Sequence, residues 1–71
     1  MHLIAQHFKG TAEFDYWAYE RGAKFTKEQT AKAVRLDWWG SSFTDPGDDY
    51  NLFRLHDETG KVVAEKRVEG Y

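Results

Sequence analysis

A chain of 71 residues is one domain or one subunit of a small assembly, and folding at this length buries only about 60% of the unfolded surface. It has no cysteine, which excludes a disulfide framework and a thiolate metal site, so stability must come from aromatic residues, 17% of the chain, or from oligomerisation. Ten basic against twelve acidic residues exclude the strongly basic balance of a general nucleic-acid binder, and no apolar run approaches the ~18 residues of a membrane span.

Met1–Phe8 reads as a strand, with Leu3, Ala5 and His7 on one face and Ile4, Gln6 and Phe8 on the other. Lys9-Gly10 supplies a tight turn, because glycine accepts positive φ. Thr11–Glu20 then alternates Phe14, Tyr16 and Ala18 against Asp15, Trp17 and Tyr19, and its aromatic content predicts a second strand. The two strands would form a hairpin, ended by Arg21-Gly22-Ala23-Lys24.

Thr26 with Gln29 three residues on is a capping box, predicting a helix from Lys27 to about Trp38 with Gly40 as its stop. At 100° per residue Ala31, Val34 and Trp38 share an arc of ~60° that would face the core. Trp39 would project away from it, beside Arg35 and Lys32. An aromatic and acidic connection leads to a third strand, Tyr50–His56. Asp57-Glu58-Thr59-Gly60-Lys61 fits a hairpin loop with glycine in the left-handed position, and Lys61–Val68 is a fourth strand with Val62, Ala64 and Val68 inward. The expected fold is α+β, in the order ββαββ, a four-stranded antiparallel sheet with one helix packed on one face.

Charge is unevenly spread. Residues 21–35 hold Arg21, Lys24, Lys27, Lys32 and Arg35 against Glu28, whereas residues 37–58 hold Asp37, Asp45, Asp48, Asp49, Asp57 and Glu58 against Arg54. The histidines, His2, His7 and His56, lack metal-ligand spacing, although His7 and His56 could meet across neighbouring strands. Ser41 and Ser42 lack the elbow of a nucleophilic serine, and Asp45-Pro46-Gly47-Asp48-Asp49 lacks the spaced ligands of a calcium loop. The expectation is a protein that is not an enzyme and takes no cofactor, metal or small-molecule substrate.

What remains is recognition. Trp17, Tyr19, Trp39, Phe43 and Tyr50 are more ring surface than so small a core absorbs, and rigid rings are the commonest hot-spot residues. Beside them Asp37, Asp45, Asp48 and Asp49 would steer the chain toward a basic, nucleic-acid-binding face of another protein. The alternative is a small nucleic-acid-binding module using Arg21, Lys24, Lys27, Lys32 and Arg35 with Trp39.

In size, in its ββαββ order and in the acidic-aromatic segment Asp37–Tyr50, the chain resembles the small phage-encoded anti-CRISPR proteins. The aromatic content is enough for a monomer and leaves a homodimer open, the absence of cysteine fits the cytoplasm, and the resemblance makes that of a bacterial host. It further implies inhibition of a CRISPR effector, a protein–RNA complex, by blocking its DNA site or by locking a conformation.

Overall fold

The structure, a computed structural model, describes residues 2–21, 23–40 and 50–69. Four strands form one antiparallel sheet in the order of the chain: β1 (His2–Phe8), β2 (Arg35–Gly40), β3 (Tyr50–His56) and β4 (Val62–Glu69). Two short helical segments lie between β1 and β2: α1 (Ala12–Asp15), running on into a π-helical turn Tyr16–Glu20, and α2 (Lys27–Thr30). The α+β class and the four-stranded antiparallel sheet with a helical layer on one face are as the sequence predicts. The bounds between residues 11 and 40 are not.

Thr11–Glu20 is helical, not a strand. Thr11 caps α1, its Oγ1 accepting from the Phe14 N–H at 3.2 Å, and Glu13 and Asp15 place acids at the positive end of the first turn. The spacing of Phe14, Trp17 and Ala18 then puts two fully buried side chains and a half-buried ring on one helical face. Lys9-Gly10 is the expected turn, with Gly10 at φ 95°, but it leads into this helix and not into a hairpin.

The capping box of α2 is present in both directions: Thr26 N–H donates to Gln29 Oε1 at 2.9 Å, and Gln29 N–H donates to Thr26 Oγ1 at 3.1 Å. The helix nevertheless ends at Thr30, eight residues before the predicted end. Residues 35–40 alternate Leu36, Trp38 and Gly40 against Arg35, Asp37 and Trp39, and β1 and β3 pair with them on either side. Tertiary pairing overrides the helix propensity of the segment. Ala31 and Val34, expected in the core, are exposed.

The core lies between the helical layer and one face of the sheet. It comprises Phe14, Ala18, Ala23, Phe25, Ala33, Leu36, Phe53 and Leu55, with Trp17, Tyr19, Trp38, Ala64 and Val68 packed against it. Three rings form its centre: Trp17 meets Trp38 at 4.3 Å between centroids and Phe53 at 6.2 Å, and Trp38 lies 5.8 Å from Phe53. Trp38 Nε1 donates to Asn51 Oδ1 at 2.9 Å, so the indole enters the core with its polar atom satisfied. Gly40 is buried at the end of this face. A side chain there would collide with Ile4 Cδ1, which closes over it.

The loop between β3 and β4 is as predicted, with Gly60 at φ 89°. Asp57 organises it. Its Oδ1 accepts from Thr59 Oγ1 at 2.6 Å, Thr59 N–H at 2.9 Å and Lys61 N–H at 3.1 Å. These bonds, the Thr59 hydroxyl first, hold the Asp57 carboxyl below its ordinary pKa.

Candidate functional site

Strand alternation gives the sheet two unlike faces. The helical layer covers the face bearing Leu36, Trp38, Phe53 and Leu55. Among the described residues no element covers the other, and cross-strand pairing arranges it in rows: Phe8–Arg35–His56, Gln6–Asp37–Arg54–Glu65 and Leu3–Trp39–Leu52–Arg67, followed by Tyr50–Glu69.

Two features distinguish this face. Its rings are paired with arginines: the Arg67 guanidinium lies 3.8 Å from the Tyr50 ring centroid, and that of Arg54 lies 6.0 Å from the Trp39 ring. Its charges are also neutralised in place, by Arg54 Nε to Glu65 Oε2 at 2.7 Å and Arg67 Nε to Glu69 Oε1 at 2.8 Å. The result is an amphipathic surface of flat rings and planar cations around Leu52.

Asp37 sits at its centre and is only 4% exposed. Arg35 grips it with both ends of the guanidinium fork, Nε to Oδ1 at 2.7 Å and Nη2 to Oδ2 at 3.3 Å. His56 Nε2 stands 3.2 Å from Oδ2, a contact that becomes an ion pair when the ring is protonated. The other ring nitrogen, Nδ1, lies 3.0 Å from the Gly60 carbonyl. Nδ1 of His56 is thus engaged with the chain, whereas Nε2 is buried beside Asp37 at ion-pair distance but makes no hydrogen bond among the described residues. Asp37 is a structural counter-ion here. The steering role expected of it is corrected, because a buried carboxylate held by an arginine projects little field into solvent.

Trp17 and Tyr19, expected on the contact surface, belong to the core. Trp17 packs against Trp38 and Phe53, and the Tyr19 hydroxyl hydrogen-bonds with Thr30 Oγ1 at 2.7 Å. Trp39 and Tyr50 do lie on the uncovered face, both half-buried. Phe43, Asp45, Asp48 and Asp49 lie outside the described residues. The separation of Trp38 from Trp39 holds, through strand alternation and not through helix phase. The indole Nε1 of Trp39 is buried with no acceptor among the described residues.

Of the basic set, Arg35 is set apart from the other four. Arg21 and Lys24 flank the turn after the π-helical segment, Lys24 at a positive φ of 52°. Lys27 opens α2 and Lys32 follows it, all four being exposed. Arg35 is on the opposite side of the sheet, committed to Asp37. Nor do His7 and His56 meet, for β2 runs between their strands.

Arg54 and Arg67, with the buried Leu52, complete this face beyond the residues expected on it. For Leu52 and Arg54 the signal is the alternation Tyr50, Leu52, Arg54, His56 along β3, and for Arg67 the alternation Glu65, Arg67, Glu69 along β4. Among the described residues no helix is long and apolar enough to cross a membrane. No protein-family model matches the chain, nor does any curated protein or solved structure.

Proposed function

We propose that the chain is a non-enzymatic binding protein that docks on a protein or nucleoprotein partner through the uncovered face of its sheet. The observation that supports this best is the paired ring-and-arginine surface, Trp39 with Arg54 and Tyr50 with Arg67, set around the buried Leu52. Tyr, Trp and Arg dominate binding hot spots because they bury much area for little conformational entropy and keep a polar end. Here each guanidinium also pairs with a carboxylate of β4, Arg54 with Glu65 and Arg67 with Glu69, which biases it toward its place over the ring.

As the resemblance to anti-CRISPR proteins implies, the partner is a CRISPR effector or a comparable nucleic-acid-binding complex in a bacterial cytoplasm, and the action is inhibition by occupancy. The contact energy comes from rings and arginines of the sheet, with the acidic segment around residues 45–49 adding attraction to a basic target. The nucleic-acid-binding alternative is weakened by the dispersal of Arg21, Lys24, Lys27 and Lys32 from Arg35.

Capture from a bacterial lysate containing such a complex, run with the wild type and Trp39→Ala side by side, tests the proposal. Retention of a nucleic-acid-binding complex by the wild type and its loss in the variant is the expected result. Direct, steeply salt-dependent binding of DNA or RNA by the isolated chain would favour the alternative.

A further inference from the structure

The two edges of the sheet are treated differently by the sequence. An open edge presents unpaired backbone N–H and C=O groups, and natural proteins guard it with charge. β4 is guarded in this way, carrying Glu65, Lys66, Arg67 and Glu69 among its eight residues. β1, with the sequence His-Leu-Ile-Ala-Gln-His-Phe, holds no lysine, arginine, aspartate, glutamate or proline. It also bears three of the large exposed hydrophobics, Leu3 at 42%, Ile4 at 47% and Phe8 at 57%. Among the described residues no strand lies along its outer edge.

We propose that β1 is a homodimerisation edge, which pairs antiparallel with β1 of a second copy to join two four-stranded sheets into one of eight strands. Three observations select a second copy. First, a strand with no formal charge meets an identical strand without repulsion, so the pairing is self-compatible about a two-fold axis. Second, Leu3 and Phe8 stand at the rim of the uncovered face, so a two-fold partner covers apolar side chains as well as supplying ladder hydrogen bonds. Third, a head-to-tail arrangement of β1 on β4 would grow without closing, and the charges along β4 oppose it.

The bulge between Leu3 and Ala5 limits the regular stretch to Ala5–Phe8 and neighbouring residues, so the interface is short. A short ladder with a few apolar side chains lies at the small end of specific interfaces and predicts a dissociation constant of about 1–100 μM, not an obligate dimer. Pairing would also place the two uncovered faces side by side on one continuous surface. The inference does not depend on what that surface binds.

The test is sedimentation velocity on the full chain over a concentration range bracketing those values. A rise in mass from 8.3 kDa toward twice that value, abolished by Leu3→Lys and unaffected by the matching β4 change Val63→Lys, is the expected result. Amide hydrogen exchange on the wild type provides a second reading that needs no variant. Outward-facing amides of β1 should gain protection on going from dilute to concentrated protein while those of β4 do not. A monomer at every concentration would overturn the proposal, as would a dimer indifferent to Leu3→Lys with no protection gained in β1, or growth beyond the dimer.

Discussion

Trp38 and Trp39 are bonded neighbours with opposite surroundings. Trp38 packs against Trp17, stacks on Phe53 and bonds Asn51, whereas Trp39 lies on the uncovered face beneath Arg54 with a buried N–H that has no partner among the described residues. Trp38→Ala should lower unfolding free energy by about 3 kcal/mol, as truncation of core aromatics does. Trp39→Ala should cost about 1 kcal/mol, because the lost ring contact is partly offset by removal of an unsatisfied donor. Urea titration of the two variants checks this, and equal costs would contradict the assignment of faces. Asp37 is a second residue whose role is structural. Asp37→Ala leaves Arg35 without its bidentate partner and should cost about 2 kcal/mol, the scale of a hydrogen bond to a charged group that is partly screened. The same titration reads it, and a neutral result would mean that Arg35 is equally well solvated alone.

At the scale of elements, the β3–β4 loop makes a prediction about pH. The folded-state pKa of Asp57 is depressed below its ordinary value of 3.8, chiefly by the Thr59 hydroxyl. Its contribution is thus fully present above 3.8 and disappears as pH falls through the lower, folded value. The wild type should be more stable than Asp57→Ala at neutral pH, and the two should converge in strong acid. A gap that persists there would show that the loop does not depend on the ionised carboxylate. This loop was legible in the sequence because a glycine and an aspartate at fixed offsets specify it locally. The capping box at Thr26 was legible for the same reason. The ends of elements were not. Helix formers run on past Thr30, and only pairing with β1 and β3, invisible in a local window, turns 35–40 into a strand. Between Thr11 and Glu20 two periods fit the same residues. The alternation of rings suggested a strand, while Thr11, Glu13 and the spacing of Phe14, Trp17 and Ala18 marked the helix that forms.

For the whole molecule, the consequence is that one layer does the folding and one face is left over. The α+β class follows from composition and turn chemistry and survives errors in individual elements, whereas the count of four strands agrees because the helix at 11–20 and the strand at 35–40 exchange the roles expected of them. The candidate site does not survive as well, since a surface depends on which residues share a face across strands far apart in sequence. Trp39 and Tyr50 were found because large rings are conspicuous. Arg54 and Arg67 are less conspicuous because Glu65 and the two rings reach them only across strands, through the pairing of β3 with β2 and β4, Glu69 alone being a neighbour on the same strand. Asp37 was misread because its burial depends on Arg35 and His56 lying over it.

The central claim is that the uncovered face is the contact surface. It is tested most directly by the affinity of the captured partner for Trp39→Ala, Arg54→Ala and, as a control on the other side, Lys27→Ala with Lys32→Ala. At least a tenfold loss is expected for each of the first two, about 1.4 kcal/mol or more, and less than about a twofold change for the control. Unchanged affinity in Trp39→Ala and Arg54→Ala, with loss in the lysine pair, would contradict it.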